Sequence, residues 1–127
     1  MKSASATELR SGTFVIIDGH HCIVKNVDTS KTGKHGASKC RIESIGIVDG
    51  KKRIIAVPGS ARFDIPMIEK RRGQILSLDK ENNKASIMDL ESFETLDVSV
   101  SEDVEIAEND NAEYWIVGEK KIIKRKV

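Results

Sequence analysis

The chain has 127 residues, 39% hydrophobic and 32% charged, which makes one ordinary domain or two very small ones. No apolar run approaches the ~20 residues needed to cross a bilayer. Met1 to Glu8 lacks the apolar stretch of a secretory signal, and Cys22 and Cys40 are too few for a disulfide framework, so they are read as reduced thiols of a cytoplasmic protein.

The predicted elements are strands throughout. Phe14-Val15-Ile16-Ile17 runs into Asp18-Gly19, a hairpin-turn dipeptide, and Cys22 to Val27 returns. Arg41 to Val48 reaches a second such dipeptide, Asp49-Gly50, and Arg53 to Val57 comes back. Arg62 to Met67 alternates with period two, and Pro66 suits a strand end or an edge. Glu69-Lys70-Arg71-Arg72-Gly73 reads as a polar break and is taken as the boundary between domains spanning 1–68 and 69–127. The charge supports it. The first segment carries 11 Lys/Arg against 6 Asp/Glu, the second 10 against 14, so only the first is a candidate for a phosphate-rich partner. Beyond the break, Gln74 to Leu78, Lys84 to Met88, Glu94 to Val100, Tyr114 to Val117 and Lys121 to Lys124 are strands; Val104 to Ala107 is a short strand or one helical turn. No segment holds an apolar 3.6-residue period over three turns, so the expected class is all-β, two small barrels.

One segment differs from the rest. From Asn26 to Lys39 the first half loses its apolar strand residues, and Lys31, Lys34, Lys39 and the flanking Lys25 and Arg41 make it basic. Gly33 and Gly36 bracket Lys34-His35, freeing the backbone at both ends. The expected result is a long hairpin tip holding Lys34 clear of the barrel. A phosphate-binding P-loop is excluded: Asp28 stands where its first glycine belongs, and His35 where Ser or Thr must follow the lysine. A zinc site from His20, His21, Cys22, His35 and Cys40 lacks the paired spacings such sites use, and the cysteines read as small buried hydrophobes. No metal is expected.

Ser30-Lys31-Thr32-Gly33-Lys34-His35-Gly36 resembles the lysine-modification loop of the translation initiation factor 5A family, relatives of bacterial elongation factor P. Phe14 to Gly19, Arg71 to Leu76 and Ile87 to Leu96 resemble it too, and the length resembles the archaeal form. The resemblance implies an N-terminal SH3-like barrel followed by a C-terminal OB-fold. It implies that Lys34 receives the aminobutyl group of spermidine from deoxyhypusine synthase, giving deoxyhypusine or hypusine, with no separate cofactor. The implied function is that of a ribosome-bound factor, not an enzyme, that steadies the acceptor end of peptidyl-tRNA for peptide-bond formation, notably at proline runs. Lys25, Lys31, Lys39 and Arg41 are then expected to contact RNA phosphates. Ala37-Ser38 departs from the family's usual residues there. The alternative is a general single-stranded RNA-binding or chaperone module on the OB-type barrel. It finds little in the second half, where Tyr114 and Trp115 are adjacent in a strand and face opposite sides, so one of them is core.

Overall fold

The computed structural model describes residues 2–31 and 38–127. The chain divides into two compact units, Met1–Met67 and Ile68–Val127, each with its own core.

The first unit is built on an antiparallel meander: β2 (Phe14–Ile17), β3 (His20–Lys31), β4 (Ser38–Gly46) and β5 (Lys52–Pro58). A two-stranded ribbon of β1 (Lys2–Ser5) and β6 (Arg62–Ile65) completes an open, SH3-like half-barrel. Asp18 and Gly19 both take positive φ, as a two-residue hairpin turn matched to strand twist requires. Val15, Ile17, Cys22, Val24, Cys40 and Ile42 alternate inward and meet Ala6 and Leu9. Strand β1 and the single 3-10 turn Ala6–Glu8 were not foreseen, because Lys-Ser-Ala-Ser has no strand propensity. Pairing with β6 makes it a strand. The turn after it is fixed by Glu8, whose carboxylate accepts bonds from the Ser5 N–H (3.0 Å) and the Ser5 hydroxyl (2.8 Å).

The second unit is a closed barrel of β7 (Glu69–Asp79), β8 (Lys84–Asp89), β9 (Thr95–Val100), β10 (Asn111–Val117) and β11 (Lys120–Lys126). Around the barrel β7 pairs with β8, β8 with β9, β9 in parallel with β11, β11 with β10 and β10 with β7. This is the order of an OB-fold. Ile75, Ile87, Val98, Tyr114 and Ile123 fill it.

Several expectations are corrected. The polar break Glu69–Gly73 is no linker; it is the first half of β7, paired with β10 from Glu69 opposite Ile116 to Gly73 opposite Ala112. A row of charged residues can still be a strand when a neighbour satisfies its backbone. Ile47 and Val48 leave the sheet, and the Asp49-Gly50 turn is not a two-residue hairpin: Gly50 N–H donates to the Gly46 carbonyl (3.0 Å), closing a longer loop. Val104 to Ala107 is neither strand nor helix, yet Val104 and Ile106 pack against the barrel core.

Candidate functional site

The basic segment of the first unit is mostly strand. Beyond Val24, β3 takes one extra residue, Lys25, as a bulge, then stays paired with β4 through Val27–Ile42, Asp28–Arg41, Thr29–Cys40, Ser30–Lys39 and Lys31–Ser38. Asp28 to Lys31, expected as loop beyond the return strand, therefore continue one side of a two-stranded arm. From Val27, which packs against the core, to Lys31 the arm extends about 13 Å. Only residues 32–37 separate its strands. Thr32, Gly33, Lys34, His35, Gly36 and Ala37 lie outside the described residues.

The outer end of the arm, at the Lys31–Ser38 pair, is braced on one side. Ser38 and Gly59 are joined by a 2.8 Å bond from the Gly59 N–H to the Ser38 carbonyl. A Cβ at Gly59 would stand 2.2 Å from the Ser38 hydroxyl and 2.8 Å from a Thr7 methyl carbon. The Gly59 carbonyl also accepts from the Thr7 N–H (3.3 Å). Glycine is what lets the β5–β6 connection press against β4 where it enters the loop.

Residues directly opposite in an antiparallel pair share a face. Lys39, Ser30, Arg41 and Asp28 therefore lie on one face of the arm, and Lys31 and Ser38 on the other. The candidate phosphate contacts do not form a single patch. Lys25 is exposed at the bulge, and Lys31 and Lys39 are exposed on opposite faces. Arg41 is engaged: its guanidinium lies 2.8 Å from Glu43 and 4.0 Å from Asp28. Along the Lys39–Arg41 face, two acids offset two bases, so the arm is less basic on that side than its lysine content suggests.

The residues weighed for zinc do not converge. Cys22 and Cys40 are buried free thiols in the core, and burial pushes the Cys22 thiol up, so it stays protonated. His20 faces Asp49 at 3.9 Å. Among the described residues no group of three or more His, Cys, Asp or Glu is placed to hold a metal, and no helix is long and apolar enough to cross a membrane.

The second unit holds a polar cluster that the sequence reading missed. Asp89, 1% exposed, accepts from Arg71 Nε (2.7 Å) and Nη2 (3.1 Å), from the Tyr114 hydroxyl, and from the backbone N–H groups of Glu91 (2.8 Å) and Ser92 (2.9 Å). Arg71, with burial opposing it, holds the Asp89 carboxyl well below the usual carboxylate range. Burial first, and then the hydrogen bond to Asp89 and its charge, push the Tyr114 phenol up to about 12. The cluster ties β7, β8, β10 and the β8–β9 turn together. Its signal was period two: Asp89 follows Ala85 and Ile87 on the inward face of β8, and an inward acid needs a partner. Trp115 points the other way from Tyr114, and the ammonium groups of Lys70 and Lys124 lie 4.5 and 5.7 Å from its ring centre.

The profile of translation initiation factor 5A-like N-terminal domains matches residues 2–61. Translation initiation factor 5A of Thermococcus kodakarensis is 42% identical over 115 residues, covering 86% of this chain and 83% of the relative. That of Methanosphaera stadtmanae is 40% identical over 128 residues, covering 98% and 96%. The chain belongs to the translation initiation factor 5A family. Its relatives are translation factors, not enzymes. The solved structure of the Methanococcus jannaschii factor superposes with a TM-score of 0.86 at 32% identity, covering 99% of this chain and 94% of that one. The stretches singled out by resemblance now have physical content. Arg71 to Leu76 and Ile87 to Leu96 carry both halves of the Arg71–Asp89 pair, the keystone of the second barrel.

Proposed function

We propose that this chain acts on the ribosome through Lys34. On deoxyhypusine synthase the Lys34 amine takes the aminobutyl group of spermidine, a new N–C bond forming as the spermidine C–N bond breaks and 1,3-diaminopropane leaves, giving deoxyhypusine or, after a separate hydroxylation, hypusine. The β3–β4 arm then presents that side chain to the acceptor end of peptidyl-tRNA, holding it in geometry suited to peptide-bond formation, notably at proline runs. A lysine stem is about 6 Å long with one charge at its tip, and the added group roughly doubles the reach and supplies a second cation for RNA phosphates. Positioning alone is a legitimate source of rate, and the catalyst remains the ribosome. The site of action is cytoplasmic, and no membrane is involved.

The observation that carries this reading, beside the family, is the ladder that stays paired out to Lys31–Ser38. The pairing fixes Lys31 and Ser38, the residues on either side of the segment that holds Lys34. The alternative, single-stranded RNA binding by the second barrel, needs an aromatic platform. Tyr114 is inside the core, Trp115 lies under two lysines, and Phe93 sits apart in the β8–β9 turn.

The test is Lys34→Arg, which keeps one charge at similar reach but cannot accept the aminobutyl group. With protein co-expressed with the modifying enzyme and checked by intact mass, the variant is expected to lose nearly all activity on a proline-run reporter while keeping its fold and most of its ribosome affinity. Lys52→Arg, on exposed β5, is the control. Rescue by Lys34→Arg equal to the modified wild type would show that Lys34 does not carry the function.

A further inference from the structure

Four non-glycine residues among the described ones have positive φ: Asp18, Asn83, Phe93 and Asn109. Three are Asp or Asn, whose short polar side chains tolerate that conformation. Phe93, at φ 62°, gains nothing of the kind, and a bulky residue there is a true outlier. Its ring is not bought into a core by the strain: Phe93 is 70% exposed, and Leu90, three residues earlier in the same turn, is 38% exposed.

The turn that holds them is closed by hydrogen bonds on both sides. Phe93 N–H donates to the Asp89 carbonyl (2.9 Å), Asp89 N–H to the Glu94 carbonyl (2.9 Å), and Leu90 N–H to the Arg72 carbonyl (3.0 Å). From inside, the Asp89 carboxylate takes the Glu91 and Ser92 N–H groups and is itself clamped by Arg71. A strained backbone persists only where its surroundings over-determine it, and such strain collects at sites of function. Here the surroundings fix an aromatic side chain outward, already ordered, so that burying it in a partner costs little further entropy.

We propose that the β8–β9 turn is a preformed docking knob: Phe93, with Leu90 beside it, enters an apolar pocket on a ribosomal protein whose rim carries Lys or Arg. The charges decide for protein over RNA. Glu91, with its side chain 86% exposed, and exposed Glu94 stand two residues before and one residue after Phe93 in the same turn. Arg71 is already taken up by Asp89, Glu69 and Glu91. Glu94, together with Glu91 on its Arg71 partner, makes the turn a poor match for phosphates and a better one for a basic rim. An aromatic anchor inside a polar rim is the usual anatomy of a strong contact point.

The inference rests on the ribosomal reading above, and the test separates the two. Phe93→Gly removes the ring and relieves the positive φ. A side chain kept for folding would lower stability when removed. This one is expected to leave the thermal midpoint unchanged or raised while weakening ribosome binding about tenfold, the loss of one anchor. Glu91→Lys should weaken binding in the same direction. A photo-crosslinking phenylalanine analogue at position 93, irradiated on ribosomes, should join the factor to a protein. Crosslinking to rRNA, or wild-type affinity in Phe93→Gly, overturns the proposal and leaves the Lys34 reading standing. Ribosomes that fail to bind the wild-type chain would overturn both.

Discussion

Asp89→Asn removes one charge from the interior of the second barrel and changes almost no volume. The amide oxygen can still accept from the Glu91 and Ser92 N–H groups, which bond Oδ1 at 2.8 and 2.9 Å. The amide nitrogen then stands where Oδ2 took Arg71 Nε at 2.7 Å and the Tyr114 hydroxyl. Tyr114 can turn its hydroxyl and accept, but Arg71 has only donors, so donor faces donor. Removing one partner of a buried charge pair costs about 3–5 kcal/mol, and the retained backbone bonds place this variant near the lower figure. For a barrel of this size, about 3 kcal/mol lowers the midpoint by roughly 12–24 °C. The chain's single tryptophan, Trp115, lies in that barrel, so its fluorescence during thermal unfolding reports the right unit. The pH dependence gives a second arm. The folded Asp89 pKa is depressed, so its stabilisation is present above the unfolded value of about 3.9 and is lost as pH falls below it. The gap between wild type and variant should narrow from pH 4 to pH 2. The control is Glu91→Gln, an exposed partner of the same arginine, expected to cost about 0–1 kcal/mol. If Asp89→Asn costs no more than Glu91→Gln, the cluster is not what holds the barrel.

Tyr114 is the chain's only tyrosine, so phenolate absorbance reads it alone. With its pKa pushed up to about 12, its stabilisation is present below about pH 10 and lost above it; the folded protein should show no phenolate at pH 10.5, and Tyr114→Phe should lack this part of the alkaline destabilisation. Gly59→Val should lower the first unit's stability by about 1–3 kcal/mol through overpacking against Ser38 and Thr7, with Ser38→Gly restoring part of it in a thermal melt. Lys39→Gln should reduce the log–log salt slope of ribosome binding by roughly 0.7–0.9, and Arg41→Gln by less, because Glu43 already neutralises Arg41; equal slopes for all three proteins would put the docking surface elsewhere.

What the sequence determined by itself is whatever depends on neighbours along the chain. Alternating apolar residues marked the cores of most strands, Asp18-Gly19 marked its turn, and the run from Ser30 to Gly36 carried the family signature and singled out Lys34. Parity also placed Tyr114 and Trp115 on opposite faces, as they are. Tertiary structure decided what depends on pairing between distant segments. Lys2–Ser5 and Glu69–Gly73 have no strand character alone and become strands because β6 and β10 satisfy their backbones. The polar residues from Asn26 to Lys31 form an arm because β4 pairs with them, and that pairing splits the lysines between two faces. Arg71 and Asp89 are separated by 18 residues and Asp89 and Tyr114 by 25, and the three meet only when the barrel closes. Local pattern fixes which face a side chain takes. Only closure of the sheet fixes what it meets there, and so whether an exposed ring such as Phe93 is held in place or left loose.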